Sequence, residues 1–208
     1  ITDASGAFSL ETSSDLYSDS SQLIALGTDA SIDTSTGASI ANLKLSAPSD
    51  SSIISPLTTL LAEESVSEQD LITAFDLPEI DIFSFNPYAD EVDPENALVV
   101  ATAHQLVSTV LKVVSVTNGK TNADTFDRTV DALSDSLISS LNSGSGLNLT
   151  DRSILEGIFV SAGVDNAEMI ASAVANVNRA IITVKPLTPG EVVISSSADT
   201  LHADNFVL

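Results

Sequence analysis

The sequence predicts an α+β fold, in which a small β-sandwich-like part is packed on, or followed by, a helical bundle of about five to six helices. Short alternating apolar runs, separated by turn signals, fill residues 1–55. Helical periodicity and helix start signals fill residues 56–184. Strand-like residues return only in a tail or linker at 185–208. We therefore divide the chain into these three parts.

Four short runs in residues 1–55 have the composition of strands. They begin or end near turn signals such as Gly6 and Gly27, and their apolar residues alternate with polar ones or are β-branched. This pattern predicts a β-rich part with strands at Ala7–Leu10, Leu23–Leu26, Ala38–Leu45 and Ser52–Ser55.

Five of the predicted helices open with a recognisable start signal. Proline is favoured at the first helical position, and Asp, Ser and Thr are favoured as N-caps because their side chains accept hydrogen bonds from free backbone N–H groups. The start signals are Pro56, Ser67 with Asp70, Asp93-Pro94-Glu95, Thr150, and Asp165 with Glu168.

The apolar faces of these helices predict the core. Leu98–Val116 is the most apolar stretch, but polar residues interrupt it, so a buried central helix is favoured over a bilayer span. A second helix has a regular stripe made of Phe126, Val130, Leu133, Leu137 and Leu141. The last helix has a predicted apolar side made of Met169, Ile170, Ala173, Val174, Val177 and Ile181.

The net charge of −22, from 29 acidic and 7 basic residues, excludes nucleic acid and anionic membrane surfaces as favoured partners. Two explanations of the charge stay open: solubility in a salty medium, where surface charge is screened, and binding of Ca²⁺. Cysteine is absent, which excludes disulfides and Cys-based zinc sites and is compatible with a secreted bacterial protein. The chain begins at Ile1, so we expect a processed product or a piece of a longer protein.

Two groups of carboxylates are candidate calcium ligands, because Ca²⁺ prefers oxygen ligands in a flexible loop. One group lies just before and inside a predicted helix start, where the charges are also explained by the helix dipole without any ion. The second lies in a loop of the β part. The candidate metal ligands are Asp90, Glu91, Asp93 and Glu95 in the first group, and Asp29 and Asp33 in the second.

No catalytic constellation is visible. The serines do not occur in a G-x-S-x-G turn, and the chain has only two histidines. His104 lies in the most apolar predicted helix, where a buried structural histidine is favoured, and His202 is expected in a solvated loop. The sequence therefore predicts a non-enzymatic protein.

Four motifs carry a resemblance to a known group of proteins. They are TD-x-x-G-x-F-x-L at 2–10, GTD-x-x-x-x-TSTG at 27–37, L-x-AP at 45–48 and SPLTTLL at 55–61. In this order they resemble a module of large repeat-rich bacterial surface proteins, the adhesins and RTX-type exoproteins with Ig-like or cadherin-like neighbours. The resemblance implies an extracellular or cell-surface location and a carboxypeptidase-regulatory-like β part before the helices. The stretch FDLPEIDIFSFNPYAD at 75–90, before a long helix, also resembles this module, but Asn86 stands where Asp is expected. The nonapeptide calcium repeats of that group are absent.

Three functions follow as hypotheses. The first is a structural or adhesive module whose partners are neighbouring modules of a longer chain. The second is a subunit that assembles with copies of itself into a filament or surface lattice, through strand addition at Ala7–Leu10 and Glu191–Leu208. The third and weakest is a carbohydrate-binding domain, since the chain has no Trp and only two Tyr to form an aromatic platform.

Overall fold

The computed structural model describes residues 21–32, 39–89, 91–117 and 123–183, without the side chains of 117 and 123. In chain order its elements are β1 (Gln22–Leu26), β2 (Lys44–Pro48), α1 (Pro56–Leu61), α2 (Glu68–Phe75), α3 (Pro94–Thr117), α4 (Ala123–Asn142), α5 (Arg152–Ser161) and α6 (Ala167–Thr183). The predicted mixed α+β class is confirmed, with six helices and one two-stranded antiparallel sheet in the described residues.

The predicted β-sandwich is wrong for the described part of the chain. Among the described residues β1 pairs with β2 alone, with Ile24 opposite Ser46, and β2 packs against α1. Residues 52–55 form no strand, because this extended segment leads directly into the N-cap of α1. The second strand begins at Lys44 rather than near residue 38, because the backbone turns at Asn42, where φ is 66°. The predicted strand Ala7–Leu10 and the tail at 185–208 lie outside the described residues.

The helix start signals are confirmed in three places and displaced by one residue in two. Ser55 and Ser67 each form a capping box with the residue three positions later, and the Asp93 side chain accepts from the N–H groups of Glu95 and Asn96. The N-cap of α5 is Asp151 instead of Thr150, which instead bonds to the side chain of Asn148. Likewise α6 begins after Asn166, so Asp165 does not occupy the N-cap position.

The core is built around α3, which packs against α1, α4 and α6. Its residues Pro94–Val116 are long and apolar enough to cross a membrane, but a buried core helix has the same properties. Leu43, which precedes β2, belongs to the same buried cluster as the helices. The most deeply buried side chains of α3 are Val100, Val107, Val110, Leu111 and Val114.

The predicted stripe of α4 is confirmed for its first four residues, which are buried, while Leu141 is half-buried. The predicted face of α6 is partly wrong. Met169, Ala173 and Val177 are exposed, and the buried side of the helix is instead formed by Ile170, Ala171, Val174, Ala175 and Asn178. Apolar residues on both sides of this helix made the two faces indistinguishable in the sequence.

Candidate functional site

The SPLTTLL segment forms a buried polar joint between the sheet and the helices. Thr59 Oγ1 accepts a hydrogen bond from the backbone N–H of Ser46 at 3.0 Å and lies 2.8 Å from the carbonyl oxygen of Ser55. Thr58 Oγ1 accepts from the Ser55 N–H at 2.7 Å and lies 3.1 Å from the Ser46 carbonyl oxygen. Both threonines are buried, so their hydroxyls satisfy the backbone of β2 and of the helix start. The SPLTTLL motif, which carries part of the resemblance, therefore has a structural role in this chain.

A second buried joint, which the sequence did not reveal, is centred on Asn178 of α6. Its side-chain amide donates to the carbonyl of Leu149 at 2.8 Å, and its Oδ1 accepts from the hydroxyl of Thr109 in α3. Asn178 has 0% exposure. One amide thus connects α6, α3 and the loop before α5. Its only sequence signal was a polar residue inside an apolar stretch.

The first predicted calcium group is only partly described. Asp90 lies outside the described residues, while Glu91, Asp93 and Glu95 are exposed. Asp93 Oδ1 lies 3.1 Å and 3.0 Å from the backbone nitrogens of Glu95 and Asn96, so this carboxylate caps α3. In the second group, Asp29 is exposed in a turn and Asp33 lies outside the described residues. Among the described residues no three Asp, Glu or His side chains are grouped to hold a metal ion.

An acidic cluster lies where β2, the residues after α1 and α4 meet. Lys44 Nζ is 2.7 Å from Asp127 Oδ1, and burial together with the negative charges of Asp131 and Asp127 raises the pKa of Glu63. Lys44 lowers that pKa in part. Asp127 and Asp131 lie more than 60 positions after Lys44 and Glu63 in the sequence, which is why no local pattern predicted the cluster. We treat it as an electrostatic contact between elements.

His104 is buried in α3, as predicted. Burial lowers the pKa of its imidazole to about 4, because the charged form loses its hydration. The side chain is therefore neutral at pH 7 and carries no charge into the core. His202 lies outside the described residues.

A surface groove with a volume of about 400 Å³ lies between α4 and α5. It is shallow, and hydroxyl groups dominate its polar lining. A serine hydroxyl requires an adjacent base to act as a nucleophile, and no histidine lines this groove. Hydrogen bonding is the chemistry that its lining supplies. It is lined by Ala132, Asp135, Ser136, Ser139, Ser140, Ser153, Ile154, Gly157 and Ser161.

The chain matches no protein-family model, no curated protein and no solved structure.

Proposed function

We propose that the chain is a non-enzymatic structural or adhesive module of a secreted bacterial surface protein. Its partners are neighbouring modules of a longer chain. The motif resemblance and the extreme acidity of the chain support this function, since a charge of −22 keeps a protein soluble and apart at high concentration outside the cell.

The observation that carries the proposal is how the fold uses its buried polar groups. Thr58, Thr59 and Asn178 are each satisfied by hydrogen bonds that join two or more elements. In the part of the chain that the structure describes, no Asp, Glu, Lys or Arg is buried. The ionisable side chain that is buried in this part is His104, whose pKa is lowered by burial alone, whereas an active-site group is commonly perturbed by a specific charged partner as well. Buried polarity here stabilises the connections between elements, as a structural module requires.

Immunogold labelling of intact source cells, with an antibody against the full chain, tests the location. We expect label on the cell surface or on extracellular material. Label confined to the cytosol of sectioned cells contradicts the proposal. A screen with hydrolase substrates tests whether the chain is non-enzymatic. Turnover that is abolished by changing a single residue identifies an enzyme.

Calcium binding belongs to the same proposal. The candidate ligands are those near the start of α3, together with Asp29 and Asp33. The test is the melting temperature in ~5 mM CaCl₂, far above the Kd of an extracellular calcium module, compared with the same concentration of MgCl₂. We expect a larger rise with calcium, and a loss of that difference in Glu91→Gln with Glu95→Gln. Equal shifts with both ions mean that the ions only screen surface charge.

The second candidate function is assembly into a filament or lattice through strand addition. A specific observation favours keeping it: β1 has no partner strand on its outer side among the described residues. Sedimentation velocity of the full chain tests this function. Large assemblies that form reversibly support it, and a monomer at all concentrations contradicts it.

A further inference from the structure

The outward side of α6 is apolar in its middle and carries few charges. Met169, Ala173 and Val177 follow one another at intervals of four residues, and all three are exposed. The net charge of the chain is −22, yet the 17 residues of α6 contain a single acidic and a single basic residue, Glu168 and Arg179. Another acidic protein can therefore approach this side of α6 without facing a row of carboxylates.

The two charges of α6 lie on the same side of the helix and near its opposite ends. Glu168 and Arg179 are eleven positions apart, which corresponds to about three helical turns and a rise of about 16 Å. Asp165, which is exposed just before α6, adds a second negative charge at the N-terminal end. Glu168 also pairs with Arg152 of its own chain, but its side chain is 73% exposed and a carboxylate accepts from more than one guanidinium. One side of this helix thus has a negative end and a positive end.

We propose that two copies of the chain associate through α6, with the two helices antiparallel about a two-fold axis near Ala173. Such an axis brings the same side of each helix together with the ends reversed. Glu168 of each copy then lies beside Arg179 of the other, so the contact contains the attractive pair twice. This self-complementary pattern of charge favours a second copy over an unrelated partner.

The same arrangement provides a pocket for the exposed methionine. Four residues at positions i, i+3, i+4 and i+7 of a helix surround a hole on its surface, and a side chain of a facing helix can insert into it. The register that pairs the charges places Met169 of one copy opposite such a hole on the other. The hole is formed by the exposed or half-buried residues Ala173, Asn176, Val177 and Ala180. Two alanines in this hole leave room for the long side chain of methionine.

The size and the charge of the contact determine when it forms. One helix face from each copy buries less area than a standard interface, which is about 1,600 Å², so the dimer is weak and reversible. The charge of −22 on each chain opposes it at low salt, whereas at about 0.15 M salt repulsion beyond about 8 Å is screened. A two-fold contact closes at two copies, unlike the open-ended assembly of the second candidate function. The dimer is independent of the proposed structural function, since it rests on α6 alone.

Charge reversal in the full chain tests the pairing. Glu168→Lys leaves only positive charges at the two positions, and Arg179→Glu leaves only negative ones, so neither variant forms the attractive pairs with itself. A 1:1 mixture of the two variants restores both pairs and has the same total charge as two wild-type chains. The control is Asp135→Lys, on the exposed side of α4, which changes the charge as Glu168→Lys does.

Sedimentation equilibrium at about 0.15 M NaCl, with protein up to about 1 mM, measures the dissociation constant of the dimer. We expect the wild type and Asp135→Lys to dimerise with similar dissociation constants. Each α6 variant alone is expected to bind about tenfold more weakly, and the mixture to regain the wild-type value. Recovery in the mixture also shows that both variants are folded.

Three results overturn the proposal. The first is a wild-type monomer at every concentration. The second is a mixture that associates no better than the separate variants, or a control that is weakened as much as they are. The third is the formation of large assemblies without a dimer, which supports the second candidate function instead.

Engineered cysteines test the position of the two-fold axis, because the protein has no cysteine of its own. In Ala173→Cys the two thiols of a dimer lie near the axis, whereas Val160→Cys places an exposed thiol on α5 as the control. After mild oxidation, we expect severalfold more disulfide-linked dimer from Ala173→Cys than from Val160→Cys. Equal yields from the two variants overturn the proposed arrangement.

Discussion

Asn178 is the residue whose replacement most directly tests the buried joint between α3, α6 and the loop before α5. Asn178→Ala leaves the carbonyl of Leu149 and the hydroxyl of Thr109 without this partner in a buried position. We expect a loss of about 2–3 kcal/mol in the free energy of unfolding, measured by urea denaturation.

Asn176→Ala is the matched control, because Asn176 lies exposed on the same helix and the helix-propensity gain is the same. It is expected to leave the free energy of unfolding within about 0.5 kcal/mol of the wild-type value. Equal effects of the two changes contradict the role given to Asn178.

His104 predicts a specific dependence of stability on pH. Its pKa is about 4 in the fold and 6.5 for an unperturbed histidine, so between these values the unfolded chain binds the proton that the folded chain excludes. Stability therefore falls as the pH drops from about 6.5 to 4. At 1.36 kcal/mol per pKa unit, the full effect is about 3 kcal/mol.

The measurement is the free energy of unfolding against pH for wild type and His104→Gln. The variant is expected to show a flatter curve between pH 6.5 and 4. Glu63 has the opposite effect on the pH dependence of stability. Because its pKa is raised in the fold, the folded chain binds this proton more readily than the unfolded chain, and protonation in acid relieves the repulsion from Asp131 and Asp127. Because Glu63 is present in both proteins, the difference between the two curves isolates His104. Parallel curves refute the assignment.

At the scale of elements, the connection between β1 and β2 depends on a close backbone approach at Gly27. A Cβ atom at this position would lie 1.9 Å from the carbonyl oxygen of Ile40. Since a backbone oxygen cannot move aside like a side chain, Gly27→Ala is expected to displace the connection and cost about 2 kcal/mol or more by chemical denaturation.

Gly157→Ala provides the control. Gly157 lies inside α5 with no atom within 4 Å of a Cβ placed there. This change is expected to stabilise the protein by about 0.5–1 kcal/mol, because alanine favours the helix. A neutral result for Gly27→Ala means that the connection relaxes at no cost.

The orientation of α6 gives a second prediction at this scale. Met169 is 67% exposed and Ile170 8% exposed, although both belong to the side that the sequence predicted to be buried. Met169→Gln is therefore expected to change the free energy of unfolding by less than about 0.5 kcal/mol, and Ile170→Ala to lower it by about 2–4 kcal/mol. Thermal and urea denaturation of both variants check this. A large loss for Met169→Gln indicates that another surface covers this side of α6.

The helices also show which features could be predicted from the sequence and which could not. The start signals at Pro56, Ser67 and Asp93 are local, so they identified three helix starts correctly. The stripe of α4 was clear because acidic residues mark its exposed side, whereas α6 has a single acidic residue, Glu168, and offered no such contrast.

Contacts between distant segments account for what the sequence did not reveal. The joints at Thr59 and Asn178, and the cluster around Glu63, join residues that lie far apart in the chain, and no local pattern encodes them. The prediction of a β-sandwich was wrong in part because residues 52–55, which have a strand-like composition, lead into the start of α1.

At the scale of the whole molecule, the charge of −22 predicts a strong dependence of stability on salt. Repulsion among exposed carboxylates destabilises the compact state, and the Debye length falls from about 30 Å at 0.01 M to about 8 Å at 0.15 M salt. The melting temperature is expected to rise over this range by several degrees, with equal effects of NaCl and KCl. A melting temperature that does not change with salt shows that the acidic residues are too widely spaced to repel one another.

The loop between α4 and α5 contains two adjacent segments that differ in how closely they contact the rest of the molecule. A Cβ atom added at Gly144 would meet no other atom within 4 Å, whereas Gly146 lies against the carbonyl of Ala74, and the Leu147 N–H donates to that same carbonyl at 3.0 Å. A short epitope or a fluorescent reporter inserted after Ser143 should therefore leave the packing intact, while the same insertion after Gly146 would separate the loop from α2. The molecule thus offers a place for labelling at 143–144, which would allow the chain to be followed inside a larger assembly.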